Sequence, residues 1–241
     1  IEGNGEPLVL IHGIGAARDA WRFITPHLHE HFTVVTYDLR GHGESPLSKP
    51  GFKLDDLVDD LERLRDHLGL ERMHLAGHSL GEYSALCCFG ALEFEDTLKI
   101  LKKRGRSMQE AVPANEGSML AILGSQLKVI EDLIENNAHD CFIANNNSPQ
   151  QVVVSGLKKN IDLFSEDLNK SKIKNIKLSV SAPFHCKLMK GATEKLKDEI
   201  LNLSFNEIKN PIISNYTANS SISGSEIKNL LVSQIEGRVK W

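Results

Sequence analysis

Five residues, Gly77-His78-Ser79-Leu80-Gly81, constrain this chain more than any other stretch. An apolar run, Met73 to Ala76, leads into them, and Glu82-Tyr83-Ser84-Ala85-Leu86 leads out as a good helix start. Strand, G-x-S-x-G and helix in that order predict a sharp turn that exposes the serine at a sheet edge. The flanking glycines matter because such a turn leaves no room for side chains beside Ser79. The helix that follows points its free N–H groups and positive end at the same spot. The backbone N–H of Leu80 is then placed to hold an oxyanion formed on an acyl group carried by Ser79. A small-residue turn with a chance serine is the bland alternative, and the flanking strand and helix argue against it. Ser79 is the candidate nucleophile.

The chain before this turn supplies neighbours for its strand. Pro7-Leu8-Val9-Leu10-Ile11 is a continuous apolar run that fits a strand buried on both faces. It opens into the glycine-rich loop His12-Gly13-Ile14-Gly15, and a helix is expected from Trp21 to His31. Phe32 to Tyr37 reads as a second buried strand, ending in Asp38-Leu39-Arg40-Gly41-His42-Gly43-Glu44-Ser45. Leu54, Leu57, Val58, Leu61, Leu64 and Leu68 recur at helical spacing, an amphipathic crossover helix capped near Gly69. This alternation implies an α/β fold, a mainly parallel sheet with flanking helices and its chemistry at the carboxyl ends of the strands.

After the turn and a helix from Phe94 to Ala111, the rhythm changes. Ser118–Leu123 reads as a strand, Gln126–Asn136 as a helix and Cys141–Asn145 as a strand. Gln151–Ser155, Leu157–Lys170 and Ile176–Val180 follow as strand, helix and strand. This β-α-β-β-α-β pattern is the ferredoxin-like one. The expected organisation is an α/β core domain of residues 1–116 and 181–241, with an inserted ferredoxin-like small domain at 117–180. The return runs through Ser181–His185 and a helix to about Leu201, then a strand at Ile212–Asn215 and a closing helix at Ser225–Gln234. A length of 241 residues suits a core domain with one insertion.

Composition excludes several partners. A net charge of −4 with scattered lysines leaves no basic stripe for nucleic acid. No apolar run approaches the length of a membrane span, and no signal peptide is visible. The four cysteines, Cys87, Cys88, Cys141 and Cys186, have neither metal nor disulfide spacing, which fits a reducing, cytoplasmic setting. The chain starts at Ile1 without methionine and ends at Trp241 without a terminating motif, so both ends read as cut.

A serine hydroxyl is a poor nucleophile until a base takes its proton, and histidine suits that task near neutral pH. Taken alone, His185 reads as a loop residue capping the helix that follows. His78, beside the serine, reads as a pocket or packing residue. Arg104 lies 25 positions after Ser79, and its planar fork matches a carboxylate with two parallel hydrogen bonds. Lys102, Lys103 and Arg106 equally suit a solvated basic helix face, which would make Arg104 a surface residue.

Residues 1 to about 81 resemble the α/β-hydrolase superfamily through His12-Gly13-Ile14-Gly15, Asp38–Ser45 and the serine turn. In that superfamily the loop after the first strand donates a second oxyanion N–H, which falls on Ile14 or its neighbour, while Asp38 and His42 are structural. From Gly77 to Trp241 the chain resembles the malonyl-CoA:acyl-carrier-protein transacylases. That likeness rests on Gly77–Leu86, Arg104-Gly105, Met108–Pro113, Asn147-Ser148-Pro149, Val154-Ser155-Gly156, Ser181–His185, Leu231–Gln234 and Val239-Lys240-Trp241. The two likenesses meet at the serine turn.

The second resemblance implies a malonyl transfer from malonyl-CoA to the phosphopantetheine thiol of acyl carrier protein, in fatty acid synthesis. Ser79 would carry the malonyl group, His185 would be its base, and a backbone carbonyl near Gln234 would orient the imidazole instead of an acid. Arg104 would grip the malonyl carboxylate. No metal or bound cofactor is implied. Departures are concrete: the transacylases carry a Gly-Gln-Gly-Ser-Gln loop where this chain has His12–Gly15, and they continue past Trp241. The hydrolase acid and histidine motifs after the turn are absent. A serine hydrolase and a composite that never assembles its site stay open beside the transacylase.

Overall fold

The apolar run ahead of the glycine-rich loop forms β1 (Glu6–Ile11), the central strand of a three-stranded sheet in the computed structural model. The structure describes residues 1–12, 17–22, 25–46, 54–77, 80–113, 115–136, 139–178, 180, 182–209 and 211–240. They fall into two compact units, Ile1–Leu98 and Lys99–Trp241.

In the first unit the chain leaves β1, makes a 3-10 turn at Arg18–Trp21 and a single helical turn, α1 (Thr25–Leu28), and enters β2 (Phe32–Thr36). Among the described residues of the helix expected from Trp21 to His31, only Thr25–Leu28 are α-helical. Pro26 fits the first turn of a helix, but deeper inside it would lack the N–H that bonds back one turn and its ring would strike the preceding carbonyl. Helix α2 (Leu54–His67) then crosses to β3 (His74–Gly77). Both β2 and β3 pair in parallel with β1, Leu8 standing opposite Val34 on one side and His74 on the other. Adjacent residues Val9 and Leu10 are both fully buried, as a parallel strand covered on two faces requires. Leu61 of α2 packs with Val9 and Val35, and Leu64 and Leu68 extend that contact. β3 ends at Gly77 and α3 (Leu80–Cys88) begins at Leu80, so strand gives way to helix across two residues.

Helix α4 (Phe94–Gln109) carries the chain into the second unit. There β4 (Gly117–Leu123), α5 (Leu127–Asn136), β5 (Cys141–Ser148), β6 (Gln151–Leu157), α6 (Lys158–Lys170) and β7 (Lys174–Lys177) follow in turn. After α7 (Lys190–Leu201) come the short strands β8 (Ile212–Ile213) and β9 (Ser220–Ser221), α8 (Gly224–Glu236) and β10 (Val239–Lys240). The sheet order is β10-β5-β6-β4-β7. Pairs β5·β6, β6·β4 and β4·β7 are antiparallel, and β10 joins β5 in parallel. The mainly parallel arrangement expected for the sheet therefore holds in β1–β3, while the larger sheet is mixed and mostly antiparallel.

Strand alternation sorts this sheet's side chains onto two faces. Leu120, Ile122, Val152 and Val154 meet Ile130 of α5 and Ile161, Phe164 and Leu168 of α6. Met119, Ala121, Ala144 and Val153 take the other face, with Leu178 and Phe184 against them. The last strand lies earlier than its apolar alternation suggested, at Lys174–Lys177, although the Leu178 N–H still donates to the Met119 carbonyl. Helix α8 starts on a Ser223 cap, whose hydroxyl accepts from the Glu226 N–H, and buries Ile227, Leu231, Gln234 and Ile235.

Candidate active site

Three sequence-selected residues meet in the second unit. Ile100, Leu101, Arg104, Ser107 and Met108 mark the buried stripe of α4, while Lys102, Lys103 and Arg106 are exposed. Helical spacing thus turns Arg104 inward and its basic neighbours outward. Its guanidinium Nη2 donates to the side-chain Oε1 of Gln234 at 2.9 Å. The surface-arginine alternative fails.

Gln234 is fully buried on α8 and serves a second partner. Its backbone carbonyl lies 2.8 Å from Nδ1 of His185, itself buried in the loop before α7. A carbonyl only accepts, so Nδ1 carries the proton and Nε2 keeps its lone pair, the form a general base needs. One glutamine thereby links a candidate base through its main chain and a candidate carboxylate grip through its side chain. Family likeness points to the carbonyl; the side-chain contact spans 130 positions and leaves no local signal.

In the first unit the described residues frame the turn. Leu80 opens α3, so its N–H is among the donors that a helix start leaves without an intrahelical partner. Among the described residues, the Ile11 carbonyl oxygen lies 3.9 Å from where a β-carbon on Gly81 would stand, which puts the end of β1 beside the start of α3. Ser79, His78 and Ile14 lie outside the described residues, as do Gly13, Gly15, Ser181 and Trp241.

The glycine-rich loop is held at both ends. His12 is buried and its Nε2 accepts the Leu39 N–H at 3.0 Å, so this imidazole protonates on Nδ1 and is occupied structurally. At the far end the Arg18 N–H donates to Asp38 Oδ1 at 2.6 Å, and the Glu44 N–H donates to Oδ2 at 3.1 Å. Burial opposes the charge on Asp38, but those two N–H groups and the Arg18 guanidinium outweigh it and hold the carboxyl below its usual range. Asp38 is thus a fastening between the loops after β1 and β2. A carboxylate with a lowered native pKa stabilises the fold above its unfolded pKa, and that contribution disappears as the pH falls through the native value. Acid unfolding followed by circular dichroism should therefore show a shallower acid limb in Asp38→Asn, at a cost in stability at neutral pH.

Among the described residues no cluster of His, Cys, Asp and Glu could hold a metal ion, and no helix is long and apolar enough to cross a membrane. Comparison with known proteins gives two overlapping family matches. Residues 6–99 match the alpha/beta hydrolase fold family, and residues 60–234, well over half of the chain, match the acyl transferase domain family. The malonyl CoA-acyl carrier protein transacylase of Bacillus subtilis (strain 168) is 41% identical over 185 residues, which are 75% of this chain and 58% of that protein. The chain thus spans less than two thirds of that curated relative's length. The solved transacylase of the same description from Coxiella burnetii is 30% identical, with a TM-score of 0.76 over 98% of this chain and 81% of that one. A malonyl-transacylase solved in complex with its type II PKS acyl-carrier protein is 25% identical, with a TM-score of 0.75 over 98% of this chain and 82% of that one.

Proposed function

Because this chain belongs to the acyl transferase domain family, we propose that it moves a malonyl group from malonyl-CoA to the phosphopantetheine thiol of acyl carrier protein, in fatty acid synthesis. The observation that carries this reading is the Arg104–Gln234–His185 linkage, a buried cation and an oriented imidazole tied to one residue.

In this reading the Ser79 hydroxyl gives its proton to Nε2 of His185 as its oxygen attacks the thioester carbonyl. The N–H of Leu80 and one from the loop containing Ile14 hold the developing oxyanion. The C–S bond breaks, and CoA leaves as a thiol after taking the proton from His185. The carrier thiol then gives its proton to the same nitrogen and attacks the serine ester, and Ser79 recovers its hydrogen as the malonyl thioester forms. Arg104 pairs with the free carboxylate of malonyl throughout, and His78 belongs to the pocket wall beside the nucleophile. The donors are all protein groups, so the scheme requires no metal or cofactor.

Two further assignments belong to the same reading. Residues 117–180 form a ferredoxin-like small domain inserted into a core of 1–116 and 181–241, supported by the antiparallel order β5-β6-β4-β7 with α5 and α6 on one face. The reaction is cytoplasmic, a reading supported by Cys141 and Cys186, buried thiols outside any disulfide.

Incubating the chain with malonyl-CoA, with and without carrier protein, tests the function. Malonyl-carrier formation is expected to exceed malonate release. The hydrolase-like match over residues 6–99 favours water as the acceptor, and free malonate as the main product would establish that second reading.

A further inference from the structure

His185 stands at φ 57°, a left-handed backbone conformation that a histidine keeps only where its surroundings hold it there. The residues around it provide four separate restraints. Pro183 lies against Gly117 at the start of β4: a β-carbon added to Gly117 would come within 2.1 Å of the Pro183 ring and 2.8 Å of its backbone nitrogen. Gly117 does not need to be glycine for its own backbone angles, so the requirement is one of space. Phe184 rests on the sheet face formed by Met119, Ala121, Ala144 and Val153. The Cys186 thiol reaches back to donate to the Pro183 carbonyl at 3.0 Å, while the Cys186 carbonyl accepts from the Met189 N–H at 2.9 Å and starts the turn into α7.

From this arrangement we infer that Gly117 and Cys186 are positioning residues for the base: the glycine seats Pro183 on β4, and the thiol clasps Pro183 to Cys186 across the left-handed turn that aims His185 at Gln234. The inference rests on the reading of His185 as the base. Burial pushes the Cys186 thiol up, so it stays protonated and remains a hydrogen donor at neutral pH. A thiol is a weak donor, yet this one lies 2% exposed, with no competition from solvent. The clasp also gives Cys186 a role that needs neither oxidation nor metal.

The test follows His185 itself and, separately, its chemistry. In the full chain labelled with 15N-histidine, the Nδ1–H resonance of His185, identified by its loss in His185→Gln, is recorded across pH. Gly117→Ala and Cys186→Ala are expected to displace that resonance and to move the midpoint of the pH profile for single-turnover acylation by malonyl-CoA. The maximal acylation rate should fall by about tenfold or more, with half-saturation by malonyl-CoA unchanged because the Arg104 grip is untouched. Cys186→Ser keeps a donor and should restore both readouts. If either alanine variant does not fold, the other carries the comparison. An unmoved resonance and profile in folded alanine variants would overturn the clasp, and so would equal damage from Cys186→Ser and Cys186→Ala. Acylation that persists in His185→Gln would instead remove His185 as base, and the resonance would still decide whether the clasp holds the imidazole.

Discussion

Ser79→Ala is expected to abolish malonyl-enzyme formation. In the proposed scheme Ser79 supplies the attacking oxygen and nothing else replaces it; loss of such a nucleophile costs on the order of 10⁴-fold or more in rate. Intact-protein mass spectrometry after incubation with malonyl-CoA should show the malonyl adduct in the parent chain and none in the variant. An adduct that survives Ser79→Ala, mapped by peptide digestion to another residue, would move the nucleophile elsewhere. His185→Ala should slow adduct formation and also block its discharge to a thiol, because the same nitrogen handles the proton in both half-reactions. Transfer that is slowed only in the first half-reaction would assign the second proton to a different group.

Arg104→Ala is expected to separate malonyl from acetyl substrates. A malonyl carboxylate that loses its guanidinium partner in a buried site should cost about 2–5 kcal/mol, roughly 30-fold to several thousand-fold in specificity. Acetyl-CoA has no carboxylate to strand and should be used nearly as before. Arg104→Lys keeps the charge but not the planar fork, so it should recover only part of the loss. Rates of acyl-enzyme formation with the two thioesters, measured side by side, check this, and equal losses for both would leave Arg104 a purely structural role beside Gln234. The burial of Arg104 beside exposed Lys102, Lys103 and Arg106 makes a structural effect testable in its own right, by comparing thermal unfolding of the same variants.

Local rules made much of the fold legible. The leucine spacing marked α2, and the apolar runs marked β1 and β2 closely. Periodicity also found β4, α5, β5, β6 and α6 in order. Failures came where a local rule met a stronger one. Pro26 stands inside the expected helix, a residue that suits only a helix's first turn, and α1 extends no further than Leu28. The last strand of the second sheet took its bounds from pairing with Leu120–Leu123, not from its own apolar residues. Only family likeness singles out Arg104 and His185 as site candidates, because neither spacing nor composition distinguishes them from a surface arginine and a helix-capping histidine. The Gln234 side-chain bond, the left-handed His185 and the Cys186 thiol contact are products of tertiary packing, with partners chosen by no sequence period.

The carbonyl that faces His185 has a particular place in its helix. Gln234 lies two residues before Glu236, the last residue of α8, within the final turn whose carbonyls have no amide further along the helix to bond. The imidazole N–H fills one of those vacancies, at the end where the aligned peptide dipoles concentrate partial negative charge. A histidine that takes up a proton there becomes a cation beside that charge, the service an aspartate performs in a Ser-His-Asp arrangement. Unlike an aspartate, a peptide carbonyl has no proton to gain in acid. The orienting partner of the proposed base therefore stays switched on at every pH at which α8 is folded, and loses its grip only when the helix end itself comes apart.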